Sequence, residues 1–167
     1  MRAILFLLIV STSFLSCKKD NAATPGRSVE IYQFKSSQFI TGKCEVDAAV
    51  SVLQDTPLVK NRDILAYSDN TYTFTLIGVV VQKIKDLPDG TPFAVTVDHA
   101  VVYYGIFKPV YSSSSCVHSI TMDIDLAGQN KIVLRMGYPG LIAGTAIDDQ
   151  RNNPKLIATL KNQGKLQ

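Results

Sequence analysis

The sequence predicts an α+β domain: a mostly antiparallel sheet of hairpins, one or two helices packed on one face, and a short C-terminal helix. Three observations carry this. Residues 71–76 (Thr-Tyr-Thr-Phe-Thr-Leu) and 120–126 alternate apolar and polar with the two-residue period of a half-buried strand. Turn chemistry at 68–70, 98–99 and 127–130 joins such runs into hairpins. Finally, Ile77, Val80, Val81, Ile84 and Leu87 recur at helical spacing, with Gln82, Lys83, Lys85 and Asp86 off the stripe.

Taken along the chain, Val29, Ile31 and the rings that follow mark a first strand to Phe34, and residues 36–43 are a polar loop. Residues 47–53 suit either a short helix capped by Asp47 or a further strand, and the cap residue favours the helix. Pro57 and residues 61–63 turn the chain. Residues 64–67 and 71–76 form a hairpin around Ser68-Asp69-Asn70, whose residues tolerate left-handed backbone angles. Tyr72, Phe74 and Leu76 share its buried face.

Residues 77–87 follow as a helix stopped by Pro88-Asp89-Gly90, the spacing outweighing the strand propensity of Val79-Val80-Val81. Next come two strands, 90–97 and 100–107, joined at Asp98-His99. Phe93, Val95 and Val97 share one face, and Val101, Tyr103 and Phe107 one side of the return strand. His99 occupies the place where a two-residue turn favours glycine, which makes it a turn residue before a catalytic base.

The strand 117–126 turns Ile120, Met122, Ile124 and Leu126 inward, and its partner turns Ile132, Leu134 and Met136 inward. With Leu126 facing Ile132, Asp123 lies opposite Arg135 on the solvent face. Residues 137–140 and Gly144 break regular structure. Asn153 as cap, Pro154 at the first helical position, Leu156, Ile157 and Leu160 on one face, and Gly164 as the stop define the last helix.

The N-terminus places the protein. Met1-Arg2, an apolar run from Ala3 extended to Leu15, and polar Lys18-Lys19 have the form of a secretory signal, too short for a comfortable membrane span. Leu15-Ser16-Cys17 resembles the lipobox of bacterial lipoproteins. The resemblance implies a signal peptide over 1–16, a lipidated Cys17, a flexible tether over 17–28 and one domain over 29–167. Lys18 after the cysteine, where inner-membrane lipoproteins carry Asp, implies outer-membrane attachment, on its periplasmic or its surface face. Each buried methylene of the acyl chains contributes about 0.8 kcal/mol, and two or more chains hold a protein permanently. The membrane is therefore met through the lipid.

Composition excludes other classes. Lys and Arg total 17 against 14 for Asp and Glu, a net +3 that falls to +2 once Arg2 is removed. No basic run exceeds Lys18-Lys19, so a nucleic-acid partner is not expected. The two remaining cysteines, Cys44 and Cys116, are either bridged in an oxidising envelope or two separate buried thiols, and spacing leaves both open.

Residues 63–107, in the order hairpin, helix, hairpin, resemble the first periplasmic head domain of the SecDF protein-export subunits. The likeness lies in Asp63-Ile64, Thr73-Phe74-Thr75-Leu76 and Gly90-Thr91-Pro92-Phe93-Ala94-Val95-Thr96-Val97-Asp98 followed by Val101-Val102. His99 stands where that family carries glycine. The resemblance implies a sheet with helices on one face and not export activity, because the family's transmembrane helices are absent. The whole chain, with its Tyr-Ser-Ser-rich segment and Gly137-Tyr138-Pro139-Gly140 turn, also resembles uncharacterised Gram-negative envelope lipoproteins.

Chemistry-bearing residues are sparse. His99 and His118 make no metal-ligand spacing, no metal or cofactor motif occurs, and Asp123 and Asp125 read as solvated carboxylates. Cys116 and His118, two apart on a strand, are the strongest catalytic pair and support the competing expectation of an envelope hydrolase. Residues 112–115 lack the elbow that activates a serine. The expected function is a non-catalytic binding or assembly module in the cell envelope, without cofactor, meeting an envelope protein or glycan through Tyr104, Phe107, Tyr111, Ser113, Ser114 and Tyr138.

Overall fold

The computed structural model describes residues 27–124 and 130–167. The signal segment, Cys17, Asp125, Leu126 and the turn residues 127–129 lie outside that range. The architecture is α+β. Eight strands form one sheet: β1 (Val29–Ser36), β2 (Val52–Leu53), β3 (Ile64–Ser68), β4 (Thr73–Leu76), β5 (Pro92–Val97), β6 (Ala100–Phe107), β7 (Cys116–Ile124) and β8 (Lys131–Tyr138). Their order is β2-β1-β5-β6-β7-β8-β4-β3. Every pairing is antiparallel except β6 with β7. The hairpins β3–β4 and β5–β6 are consecutive in the chain yet stand on either side of β7–β8.

Helix α1 (Gly78–Lys85) connects these hairpins, and α2 (Pro154–Asn162) follows β8. The apolar stripe of α1 is buried at Val80, Val81 and Ile84, whereas Val79 beside it is exposed. In α2, Asn153 Oδ1 accepts a hydrogen bond from Lys155 N at 2.9 Å, and Leu156 and Leu160 are fully buried. Gly164 takes φ +68°, which L side chains rarely adopt, and ends the helix. Both helices pack on one sheet face, against a core that includes Ile31, Phe74, Phe93, Val95, Met122 and Leu134.

The opposite face carries a smaller cluster of Val46, Ile106 and Cys116, with Phe34, Cys44, Tyr104 and Tyr138 against it. Strand alternation explains the division, since Tyr103 and Phe107 point to the helices and Tyr104 and Ile106 away from them. Gly105 lies between because a Cβ there would enter the Phe93 ring and stand 2.8 Å from the Ile120 carbonyl oxygen.

Several expectations are corrected. Residues 47–53 are not a helix: Asp47 caps a single turn by accepting from Ala49 N at 3.0 Å, and the chain then pairs Leu53 with Phe34 and Val52 with Ser36. The backbone of β1 supplies the partner, and just beyond β2 Gln54 N donates to the Gln33 carbonyl at 2.9 Å. In the β3–β4 hairpin the left-handed residue is Tyr72, at φ 53°, in place of Asp69 or Asn70. Its ring still packs against the core that holds Phe74 and Leu76, as its place in the alternation implies, and lies 3.6 Å from the Arg151 guanidinium.

Val101 pairs with Thr96 whereas Tyr103 pairs with Val95, so Val102 is a bulge residue and Val101 falls on the other face from Tyr103. Asp123 sits directly opposite Val133, and Arg135 opposite Thr121. The Asp123–Arg135 ion pair, at 3.2 Å, is therefore diagonal on a shared face. That face is not wet at Asp123, which is buried, and desolvation raises its carboxyl pKa despite Arg135.

Candidate functional site

Asp98 and His99 both take left-handed angles, φ 51° and 62°, and link Val97 directly to Ala100. His99 is thus the turn residue that its position implies. Its Nδ1 lies 3.3 Å from the Tyr32 hydroxyl and 3.6 Å from Glu30, a local brace on an exposed turn.

Cys44 and Cys116 form a disulfide. This decides between the two alternatives and removes the Cys116–His118 pair as a catalytic centre, because a bridged sulfur is no thiolate nucleophile. The bridge ties the loop between β1 and β2 to the start of β7. The Ser119 hydroxyl adds a second tie by donating to the Cys44 carbonyl at 2.7 Å.

The tyrosine and serine residues expected to form one surface are divided by the fold. Phe107 is 1% exposed and belongs to the helix-side core, so it is removed from the surface. Tyr104 is half-buried against Phe34, with ring centroids 5.9 Å apart. Tyr111 is 75% exposed and neighbours exposed Val110. Tyr138 lies half-buried, its hydroxyl donating to the carbonyls of Val110 and Ser112 at 3.0 and 3.1 Å.

A residue that sequence reading missed holds this loop. Lys108 is buried, pairs with Asp89 at 2.8 Å, donates to Ser114 Oγ at 2.7 Å and stands over the Tyr138 ring at 5.5 Å. Ser112 donates to the same Asp89 carboxylate at 2.6 Å. Burial alone would raise the Asp89 pKa, but Lys108 and the two serine hydroxyls outweigh it and hold the carboxyl below its usual range. Ser112 and Ser114 are therefore fasteners of the loop, while Ser113 is exposed on it. The available signal was a lone lysine inside the apolar run Ile106-Phe107-Lys108-Pro109-Val110.

A concavity opens where β6 and β7 part. These strands pair only over Gly105–Phe107 with Ile120–Met122. Before that, Tyr103 and Tyr104 on one side and His118 and Ser119 on the other line an open cavity of about 240 Å³, which Glu45 and Asp148 of the loop after β8 also line. That loop is held by Arg151, whose guanidinium makes two 2.8 Å bonds to Asp149 and a 3.2 Å bond to the Leu134 carbonyl.

No family model, curated protein or solved structure matches this chain. Among the described residues no cluster of His, Cys, Asp and Glu is arranged to hold a metal ion, and no helix is long and apolar enough to cross a membrane.

Proposed function

We propose that the protein is a lipid-anchored module of the cell envelope that binds or assembles with a partner and performs no chemistry of its own. Cys17 carries the anchor, the outer membrane is the site of attachment, and the partner is an envelope protein or a glycan. The observation that carries the binding reading is the loop 108–116. It presents exposed Val110 and Tyr111 while the buried Lys108, together with Asp89, Ser112 and the Tyr138 hydroxyl, fastens it.

Exposed apolar surface on a constrained loop suits recognition, because the entropy of ordering the loop is lost on folding and not again on binding. A tyrosine at its tip adds a rigid ring with a polar end. The lipobox-like Leu15-Ser16-Cys17 supports the anchor, and the mild net charge agrees with attachment that does not depend on a basic surface.

The test is pull-down from envelope extract with the parent chain and with Tyr111→Ala. The parent is expected to retain a partner that the variant loses. Identical recovery by both, or recovery of nothing, would sink the reading. For the anchor, Cys17→Ala is expected to release the protein from the membrane fraction.

A further inference from the structure

We propose that the end of the domain where the chain arrives from Cys17 is a basic face that docks on anionic phospholipid headgroups and so turns the Tyr111 loop away from the bilayer. The docking rests on the lipid anchor at Cys17 and goes beyond it: the lipid attaches the chain, and the face sets its orientation.

Short ties around residues 27–29 build this end. The Arg27 carbonyl accepts from Gln163 Nε2, just past α2. Ser28 N donates to Asp98 Oδ1 at 2.8 Å, and Val29 N donates to Asn61 Oδ1 at 3.0 Å. Lys165 Nζ donates to the carbonyl of the same Asn61 at 2.6 Å. The start of β1, the turn after β5, residues 61–63 and the end of α2 therefore meet at one surface. A groove of about 500 Å³ runs between that turn and α2, with Arg27, Asp98, Ala100, Lys155 and Ala158 along it.

The charge of this surface is one-sided. Arg27, Arg62, Lys155 and Lys161 are all exposed on it. Lys155, Ala158 and Lys161 follow one another at intervals of three along α2, which makes them neighbours on the helix surface. Among the described residues Arg27, Lys155 and Lys161 make no ion pair, and Arg62 reaches Asp63 only at 3.9 Å. The carboxylates of this end are already engaged. Asp98 accepts from Ser28 N, buried Asp63 accepts from Lys60 N at 2.9 Å, and Glu30 accepts from the Tyr32 hydroxyl at 2.9 Å with His99 3.6 Å away. The chain as a whole carries only +3, so the basic character is a property of this end and not of the entire surface. A patch of one sign favours a partner surface of the other.

Placement decides which anion that is. Ten residue steps lead from Cys17 to Arg27, so this end stays within about 35 Å of the bilayer even at full extension. Lys18 and Lys19 adjoin the cysteine with the same sign. Attraction between basic residues and anionic lipids fades over a Debye length of about 8 Å, and the tether supplies the proximity that makes a weak attraction sufficient. The recognition loop lies at the other end of the sheet. Strand β6 starts at Ala100 in the groove and runs to Phe107, about 23 Å away at the usual strand rise. Tyr111 sits there beside Phe107, Ile124 and Lys85. With the basic end down on the headgroups, the Tyr111 loop faces outward.

The lipidated full chain is placed in nanodiscs of phosphatidylcholine, alone or mixed with phosphatidylglycerol, doped with a lipid that carries a gadolinium chelate. Paramagnetic broadening of backbone amides is read at Asp98, Lys155, Ala158 and Lys161 and compared with Val110 and Tyr111. The tether by itself produces some contrast between the two ends, so the deciding quantity is how the contrast changes with the lipid. It is expected to be about threefold larger with phosphatidylglycerol than without, and to drop to the phosphatidylcholine level in 1 M salt, where the Debye length is about 3 Å. Arg27→Glu combined with Lys155→Glu, both at exposed positions, is expected to keep the melting temperature and lose the phosphatidylglycerol effect.

Equal contrast in the two lipids, contrast that survives 1 M salt unchanged, or a double variant with parental contrast would overturn the docking. A face that serves an acidic protein instead gives the first of these results. Should the double variant unfold, the lipid and salt comparisons on the parent chain decide alone. A chain that does not co-elute with the discs removes the anchor at Cys17 and the docking together, whereas a co-eluting chain without the phosphatidylglycerol effect removes the docking alone.

Discussion

Replacing both Cys44 and Cys116 by alanine tests the part of the fold that sequence left open. The bridge closes a loop spanning 72 residues. In the chain-entropy model such a closure stabilises the native state by about 4 kcal/mol, by restricting the unfolded chain. Cys116 is 1% exposed beside Ile106 and Val46, so removing its sulfur leaves a small void that costs roughly 1 kcal/mol more. Urea denaturation reads the sum. With a slope of about 2 kcal/mol per molar, the midpoint should fall by about 2.5 M.

The slope itself should rise, because an unbridged unfolded chain exposes more surface. The native state should keep its sheet, since β7 remains paired to β8 from Ile120 to Ile124 and Ser119 still donates to the Cys44 backbone carbonyl, which alanine retains. A midpoint shift below about 0.5 M with an unchanged slope would refute the loop-entropy account. It would mean that the unfolded chain keeps these segments together without the bridge.

Other substitutions probe the backbone and the charges. Gly105→Ala places a Cβ against the Phe93 ring and 2.8 Å from the Ile120 carbonyl oxygen, and thermal denaturation should show a loss of about 2–3 kcal/mol. His99→Gly relieves a left-handed residue at φ 62° but gives up the 3.3 Å contact with Tyr32, for a net gain of up to about 1 kcal/mol in melting experiments. Acid titration of stability should fall as pH drops below about 4, the ordinary aspartate value. Asp149 is held low by its hydrogen bonds to Arg151 against desolvation, and Asp89 is held low by Lys108 and its serines, so both contributions are lost on protonation. Asp123, raised by desolvation, runs the other way: Asp123→Asn should steepen the acid loss and Asp149→Asn should flatten it, both read from urea midpoints across pH.

The elements easiest to read were those whose signal is local. The α1 stripe, the Asn153-Pro154 start of α2 and the Asp98-His99 turn each depend on residues within a few positions of one another. Residues 47–53 misled because an aspartate that caps one turn looks the same whether or not a helix follows, and β1 supplied the competing partner. Val101 misled because one bulge, at Val102, puts it on the other face from Tyr103 and Phe107. Of the expected surface, Tyr111 is exposed and Phe107 is not, and the difference is set by which face the helices cover. The cavity beside Tyr103 had no sequence signature, because Glu45, His118 and Asp148 come from three separate parts of the chain.

Read from residue order alone, this chain discloses its class, its hairpins, its helices and the N-terminal features from which an envelope anchor is inferred. These follow from periodicity and short motifs, which act over a few residues. The tertiary structure decided the strand order, with β7–β8 set between two consecutive hairpins, and the joining of Cys44 to Cys116. It also decided the burial of Lys108 against Asp89 and the parting of β6 from β7. Those features depend on contacts between distant segments, whose pairing is chosen by total burial and hydrogen bonding and leaves no local trace.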